Sequence, residues 1–278
     1  MTRDERDRGA ANEREPASSA VTGRRSVVRL FAGATLIPFS GCSGSSSSSP
    51  AGPRGGASAS AQSTAPQRTC PQIPEETTGP FPADGSDGIN VLGLEGIVRR
   101  DIRSSIGPGT AVADGVGLTV SFDLLDTNAR CAPLAGYAVY VWHSDREGRY
   151  SMYSDPIENE TYLRGVQAAD ADGRVTFTTI FPAAYSPRWP HIHFEIYRSV
   201  EAATTFRNKL VTSQLALPKD ICEAVYATPG YEASKRNLAQ VSLGSDIAFH
   251  DGVELQLPAM TGNVTDGYTA TIAVGIGT

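Results

Sequence analysis

The stretch YSPRWPHIHFEIY, residues 185–197, sets His191 and His193 one residue apart, with Tyr185 six positions ahead of the first. Alternate residues of a β-strand face the same side, roughly 6.5 to 7 Å apart, so the two imidazoles would stand together. The pair alone is weak evidence, because two histidines on a strand face can simply bond to neighbours. Its company strengthens it. Arg188 and Pro190 lie directly upstream, Tyr185 falls in a turn after one apolar run, and Tyr150 closes DREGRY after another. Imidazole suits several transition metals, whereas a phenolate oxygen is a hard anionic donor that favours a small, highly charged ion such as Fe(III). Free tyrosine has a pKa near 10, so a coordinated phenol must lose its proton to the ion itself. Two phenolates and two neutral imidazoles would leave Fe(III) with one formal positive charge and an open position, which a catalytic site needs. A second set remains open on spacing alone: alternation puts Glu195 on the same face, and His191, His193 and Glu195 would suit Fe(II) or Zn(II).

The wider pattern resembles a known family. The pieces that carry the likeness are PEETTGPF at 74–81, PLAGYAVYVWHSDREGRYS at 133–151, TYLRGVQAADADGRVTFTTIFPAAYSPRWPHIHFEI at 161–196 and TSQL at 212–215. From about residue 70 to its end the chain is similar to the intradiol ring-cleavage dioxygenases, the catechol and protocatechuate type, and most similar to their exported bacterial branch. The resemblance implies that Tyr150, Tyr185, His191 and His193 ligate a non-haem Fe(III), and that Arg188 and Gln214 lie beside the bound substrate. It further implies a catechol and O2 as reactants, cleavage between the two hydroxylated carbons and a muconic acid-type product. Tyr185 would be displaced as substrate binds and help take up the catechol protons. Two departures stand out: Ala183-Ala184 replaces a small glycine-containing pair before the second tyrosine, and Ser144 replaces a cysteine common after WH in the exported branch.

Other residues read more plainly. Trp142 and Trp189 are expected to pack rather than to stack on another ring. His143 is expected to be structural, His250 to sit on a surface turn, Pro80 and Phe81 to wall the substrate pocket by family analogy, and Arg164 to join a buried hydrogen-bond network. A rival reading from another class is a non-catalytic binding module, because PLAGYAVYVW is a pattern shared with prealbumin-like domains. That reading leaves the two histidines and Arg188 unexplained.

The elements that must position these residues are strands. Short runs rich in β-branched and aromatic residues follow one another: LEGIVRRDI, GLTVSFDLLD, YAVYVWHSD, RVTFTTIFP, HIHFEIYRS, KLVTSQLAL and YTATIAVGI, many separated by turn formers such as ADG and NVTDG. Alternation over Leu118 to Leu124, and partly over Val175 to Ile180, predicts half-buried strands with one wet face. Only DICEAVYA promises a helical turn or two. The expected fold is all-β, a single prealbumin-like β-sandwich domain over 70–278 with long loops.

The 278 residues include 28 Gly and 18 Pro, a globular balance with many turns, and a formal net charge of -6. No basic face is offered to a phosphate backbone, so nucleic acid is not an expected partner. Residues 1–42 read as a signal segment: an arginine-rich head with Arg24-Arg25 leads into LFAGATLIPF, too short an apolar run to span a bilayer. FSGC resembles a lipoprotein cleavage box, which makes Cys42 a candidate lipid anchor and the only expected tie to a membrane; plain secretion is the alternative. Residues 43–69, rich in Ser, Gly, Ala and Pro, are expected to form a disordered linker. Cys70, Cys131 and Cys222 then predict one disulfide and one free thiol outside the cytoplasm, with the pairing open. The oligomeric state is not legible.

Overall fold

A computed structural model describes residues 69–278. The expected signal segment at 1–42, with Cys42, and nearly all of the linker at 43–69 lie outside the described residues.

Among the described residues, nine strands build two sheets. The first contains β1 (Gly117–Asp126), β2 (Ala132–Pro133), β5 (Arg174–Ile180), β8 (Ala259–Asn263) and β9 (Gly267–Ile276). Here β1 runs parallel to β9 on one side and antiparallel to β5 and β2 on the other, while β8 pairs with β9. The second sheet is antiparallel throughout, in the order β4 (Arg164–Ala168), β3 (Ala138–Trp142), β6 (His191–Tyr197), β7 (Val211–Ala216). Alternation gives β1, β3 and β6 their core faces. Leu118, Val120, Phe122 and Leu124 of β1 meet Val139 and Val141 of β3 and Ile192, Phe194 and Ile196 of β6 in one apolar cluster. Phe122 and Phe194 touch across the two sheets with ring centroids 5.0 Å apart, so the sheets pack face to face as a sandwich.

The expected wet face holds for β5, whose residues alternate between buried and partly exposed, but not for the second sheet. Strands β3, β6 and β7 are buried at every position. Their outer face is covered by the chain between residues 76 and 98, which supplies Ala83, Val91, Leu92 and Ile97 to a second apolar cluster around Tyr140, Trp142 and Tyr150. A backbone bond from Glu76 N–H to the Thr212 carbonyl, 2.8 Å, fastens the start of this cover to β7. LEGIVRRDI is not a strand. Gly96 takes a left-handed φ of 87° that extended backbone cannot continue, and only isolated bridges remain, Val98 to Val166 and Asp101 to Thr178.

DICEAVYA forms α1 (Lys219–Tyr226), and a second helix that its polar sequence hides, α2 (Glu232–Leu238), follows it. The disulfide joins Cys70 to Cys131, Cα atoms 5.7 Å apart, and so ties the start of the described chain to the turn between β1 and β2. Cys222 is free and buried in α1.

Candidate metal centre

The outer face of the second sheet sets the frame. Register places Trp142 opposite His193 and His193 opposite Gln214, so one row across β3, β6 and β7 carries all three on the same face. His191 follows one pleat away on that face. Its Nδ1–H donates to the Trp189 carbonyl at 2.5 Å, which leaves Nε2 as the lone-pair donor. His193 has no such tether, for its Nδ1 is buried without a hydrogen-bond partner. Its ring is instead stacked on Trp142, centroids 4.8 Å apart and planes 5° from parallel. The expectation that Trp142 only packs is therefore too weak: the indole is fully buried and also fixes the plane of His193. Gly79, at φ +73°, approaches so closely that a Cβ there would lie 3.1 Å from His193 Cε1.

Two loops bring in the phenols. After β3, the Asp145 carboxylate accepts bonds from the backbone N–H groups of Glu147 and Arg149, and Gly148 lies against Tyr185 Cβ. This closed turn delivers Tyr150, whose N–H donates to Ser154 Oγ. After β5, the Ala184 N–H donates to Ser234 Oγ and its carbonyl accepts from Asn237 Nδ2, both on α2, so the Ala183-Ala184 departure has its own support just before Tyr185.

The four predicted donor atoms converge. Tyr150 Oη lies 3.0 Å from Tyr185 Oη and 3.4 Å from His191 Nε2; Tyr185 Oη lies 3.3 Å from His191 Nε2, which is 3.0 Å from His193 Nε2. Ligand atoms about 2.0 to 2.1 Å from a shared ion, at angles near 90 to 120°, would be separated by roughly 2.9 to 3.5 Å, so the four fit one metal. Burial, with Arg188 adding to it, pushes His191 down to about 3, and burial together with His191 and Arg188 holds His193 well below its ordinary value. Both imidazoles are thus neutral donors. Burial raises both phenols, Tyr150 further through its neighbour Tyr185, while the charge of Arg188 pulls the other way. Phenolates in so dry a place call for a strong local cation.

Glu195 takes no part in this cluster. Its carboxylate accepts Lys209 Nζ at 2.9 Å, Tyr197 Oη at 2.7 Å and Thr212 Oγ1 at 3.1 Å. Among the described residues no group of three or more His, Cys, Asp or Glu is arranged to hold a metal, so the His-His-Glu alternative loses its third ligand.

Arg188 and Gln214 also meet, Nη2 donating to Oε1 at 2.5 Å, and Gln214 Nε2 reaches the Thr77 carbonyl at 2.8 Å. Asp246, which no motif flagged, grips Arg188 from the other side at 2.9 Å. Only the general rule that a buried guanidinium needs an anion points to such a partner. The Phe81 ring centroid lies 4.9 Å from that of Tyr150, while Pro80 is exposed, and Arg164 bonds the Phe81 and Pro82 carbonyls, Ser151 and Tyr140 in the expected buried network. His143 is held between the Ser144 carbonyl and Thr179 Oγ1, Trp189 is buried with its indole N–H on the Leu217 carbonyl, and His250 is exposed in a turn.

Residues 108–240, the stretch that contains Tyr150, Tyr185, Arg188, His191, His193 and Gln214, match a family model described as Dioxygenase. This stretch of the chain is similar to the dioxygenases that the family model describes. Its curated relatives include the chlorocatechol 1,2-dioxygenase of Pseudomonas sp. (strain P51), 34% identical over 92 residues that cover 27% of this chain and 36% of that one. A second is the chlorocatechol 1,2-dioxygenase of Rhodococcus opacus, 36% identical over 53 residues, 19% of this chain and 21% of the other. The chain therefore spans only about a third or less of those relatives. Among solved structures the intradiol ring-cleavage dioxygenase from Tetranychus urticae superimposes with a TM-score of 0.59 at 24% identity, covering 75% of this chain and 95% of that one. At that identity the likeness supports the intradiol fold rather than a particular substrate.

Proposed function

We propose that this chain is an exported non-haem Fe(III) dioxygenase that opens catechol-type rings between the two hydroxylated carbons with O2, giving muconic acid-type products. The observation that carries this reading is the convergence of two phenol oxygens and two imidazole nitrogens on His191 Nε2, which lies 3.0 to 3.4 Å from each of the other three. Tyr150, Tyr185, His191 and His193 would hold the metal. Ferric iron, when bound there, supplies a Lewis-acidic centre that acidifies phenols and draws charge from a chelated catechol ring. The protein's residues divide the remaining work. Tyr150 is buried to 2% exposure whereas Tyr185 is half-buried, so Tyr185 is the phenol free to swing aside and accept a catechol proton at its Oη. Arg188, a permanent cation at the site, stabilises negative charge that develops on the ring. Gln214 holds the guanidinium at its Nη2, and Phe81 covers the Tyr150 ring against water.

Export rests on the leader and is supported by the Cys70–Cys131 disulfide, a bond characteristic of oxidising compartments. A lipid at Cys42 would anchor the protein to the outer face of the cell membrane; without it the protein is secreted. The experiment is optical. Iron-loaded protein should show a broad visible band from phenolate-to-iron charge transfer, weakened or shifted by Tyr150→Phe, and should take up oxygen with at least one of catechol, protocatechuate, hydroxyquinol or a larger lignin-type catechol. An iron-replete, colourless protein refutes the reading. Intact-mass analysis of protein recovered from the producing cell tests the acylated Cys42 terminus separately.

A further inference from the structure

Arg188 is held from the C-terminal side by a carboxylate that none of the motifs carrying the family likeness contains. Asp246 follows the 3-10 turn Leu243–Ser245, beyond the matched residues 108–240. The side chains of Arg188 and Asp246 are 10% and 0% exposed. Arg188 donates twice, Nε to Oδ2 at 2.9 Å and Nη2 to Oδ1 at 3.2 Å, in the bidentate geometry that fixes the guanidinium plane as well as its position. The same carboxylate accepts the Trp189 N–H at 2.6 Å and the Ala248 N–H at 2.9 Å. All of its bonding is thus spent inside the protein, which leaves it no role as a base or a ligand. Gln214 Oε1 accepts from the same Nη2 at 2.5 Å, and Gln214 is itself moored to Thr77. A guanidinium clamped in this way cannot swing away when a catechol enters.

We propose that Asp246 is a positioning residue, one that sets the plane of Arg188 against the substrate, so that turnover depends on Asp246 only through Arg188. The proposal rests on the function given above. It predicts a pattern of coupling that a merely structural carboxylate would not produce, because the effects of residues acting as one unit do not add.

The test uses the folded chain loaded with iron, in the forms wild type, Asp246→Asn, Arg188→Ala and the double variant, with iron content, the visible band, and kcat and KM for a turned-over catechol as readouts. Arg188→Ala should keep iron and colour while kcat falls on the order of 100-fold, the scale of losing one donor to a developing anion. Asp246→Asn should also keep iron and colour, lose about tenfold or more in kcat with a smaller change in KM, and cost less than about twofold further when added to Arg188→Ala. Arg188→Lys leaves Asp246 untouched and keeps the charge but not the fork; it should fall nearly as far as Arg188→Ala. Additive losses, loss of iron from a folded Asp246→Asn protein, or wild-type turnover in Arg188→Lys overturns the proposal. An inactive, colourless wild type refutes the function and this role with it, whereas an active wild type with additive variants refutes this role alone.

Discussion

Gly79→Ala isolates the contact that holds His193 in place of a hydrogen bond. The backbone at Gly79 has φ +73°, and a left-handed alanine costs roughly 1 to 2 kcal/mol wherever it occurs. Gly136, at φ +80° with nothing within 4 Å of where a Cβ would stand, carries that cost without any neighbour, so Gly136→Ala is the matched control. Both variants should lose about 2 to 8 °C of melting temperature, since a domain of this size moves about 2 to 4 °C per kcal/mol. Only Gly79→Ala adds a clash, its Cβ at 3.1 Å from His193 Cε1 and 3.6 Å from Nε2, where carbon atoms prefer about 3.5 to 4.0 Å. The imidazole must yield by a few tenths of an ångström. It has little room, because its ring is stacked 4.8 Å from a fully buried Trp142. The displacement falls on Nε2, the donor 3.0 Å from His191 Nε2. Changes just outside a metal's ligands typically cost about 10- to 100-fold in affinity, so iron release to a chelator, followed through the visible band, should be at least about tenfold faster for Gly79→Ala than for Gly136→Ala. Equal release rates would refute the argument that Gly79 confines His193.

Buried charge sets two more outcomes. His143 is pushed down to about 4 by burial, so between its ordinary value of 6.5 and pH 4 the unfolded chain binds the proton and the native one does not. Its contribution to stability is intact above about pH 6.5 and declines by about 3 kcal/mol as pH falls to 4; denaturant titrations should show a correspondingly flatter profile for His143→Gln, and identical profiles would contradict the assignment. Glu195→Gln should retain iron and colour yet weaken the fold by about 1 to 3 kcal/mol, because Lys209 loses its charged partner while the ligand cluster is untouched; loss of iron from the folded variant would reinstate the His-His-Glu site.

What is legible in the sequence and what is hidden divide by range. His191, His193 and Tyr185 lie within nine residues, and the strand period alone predicts that both imidazoles share a face; GLTVSFDLLD gives away β1 because its apolar positions alternate from Leu118 to Leu124. The supports are remote. Asp246 is 58 positions from Arg188, and Thr77 is 137 from Gln214, distances over which no local pattern can announce a contact. Trp142 hides for a different reason: an indole on a buried strand looks the same in sequence whether it packs against aliphatic carbon or stacks on a ligand-type imidazole. The second sheet departs from the expected wet face because alternation reports residue type and not cover: the outer residues His191, His193, Glu195 and Tyr197 are polar, yet all are buried. They lie under residues 76–98, and that burial is what turns a row of titratable side chains into a site, since it neutralises the imidazoles and makes the phenols dependent on a cation. The donor set can be read from residue types. Its chemistry depends on the cover, and the cover is set by contacts that only the folded chain brings together.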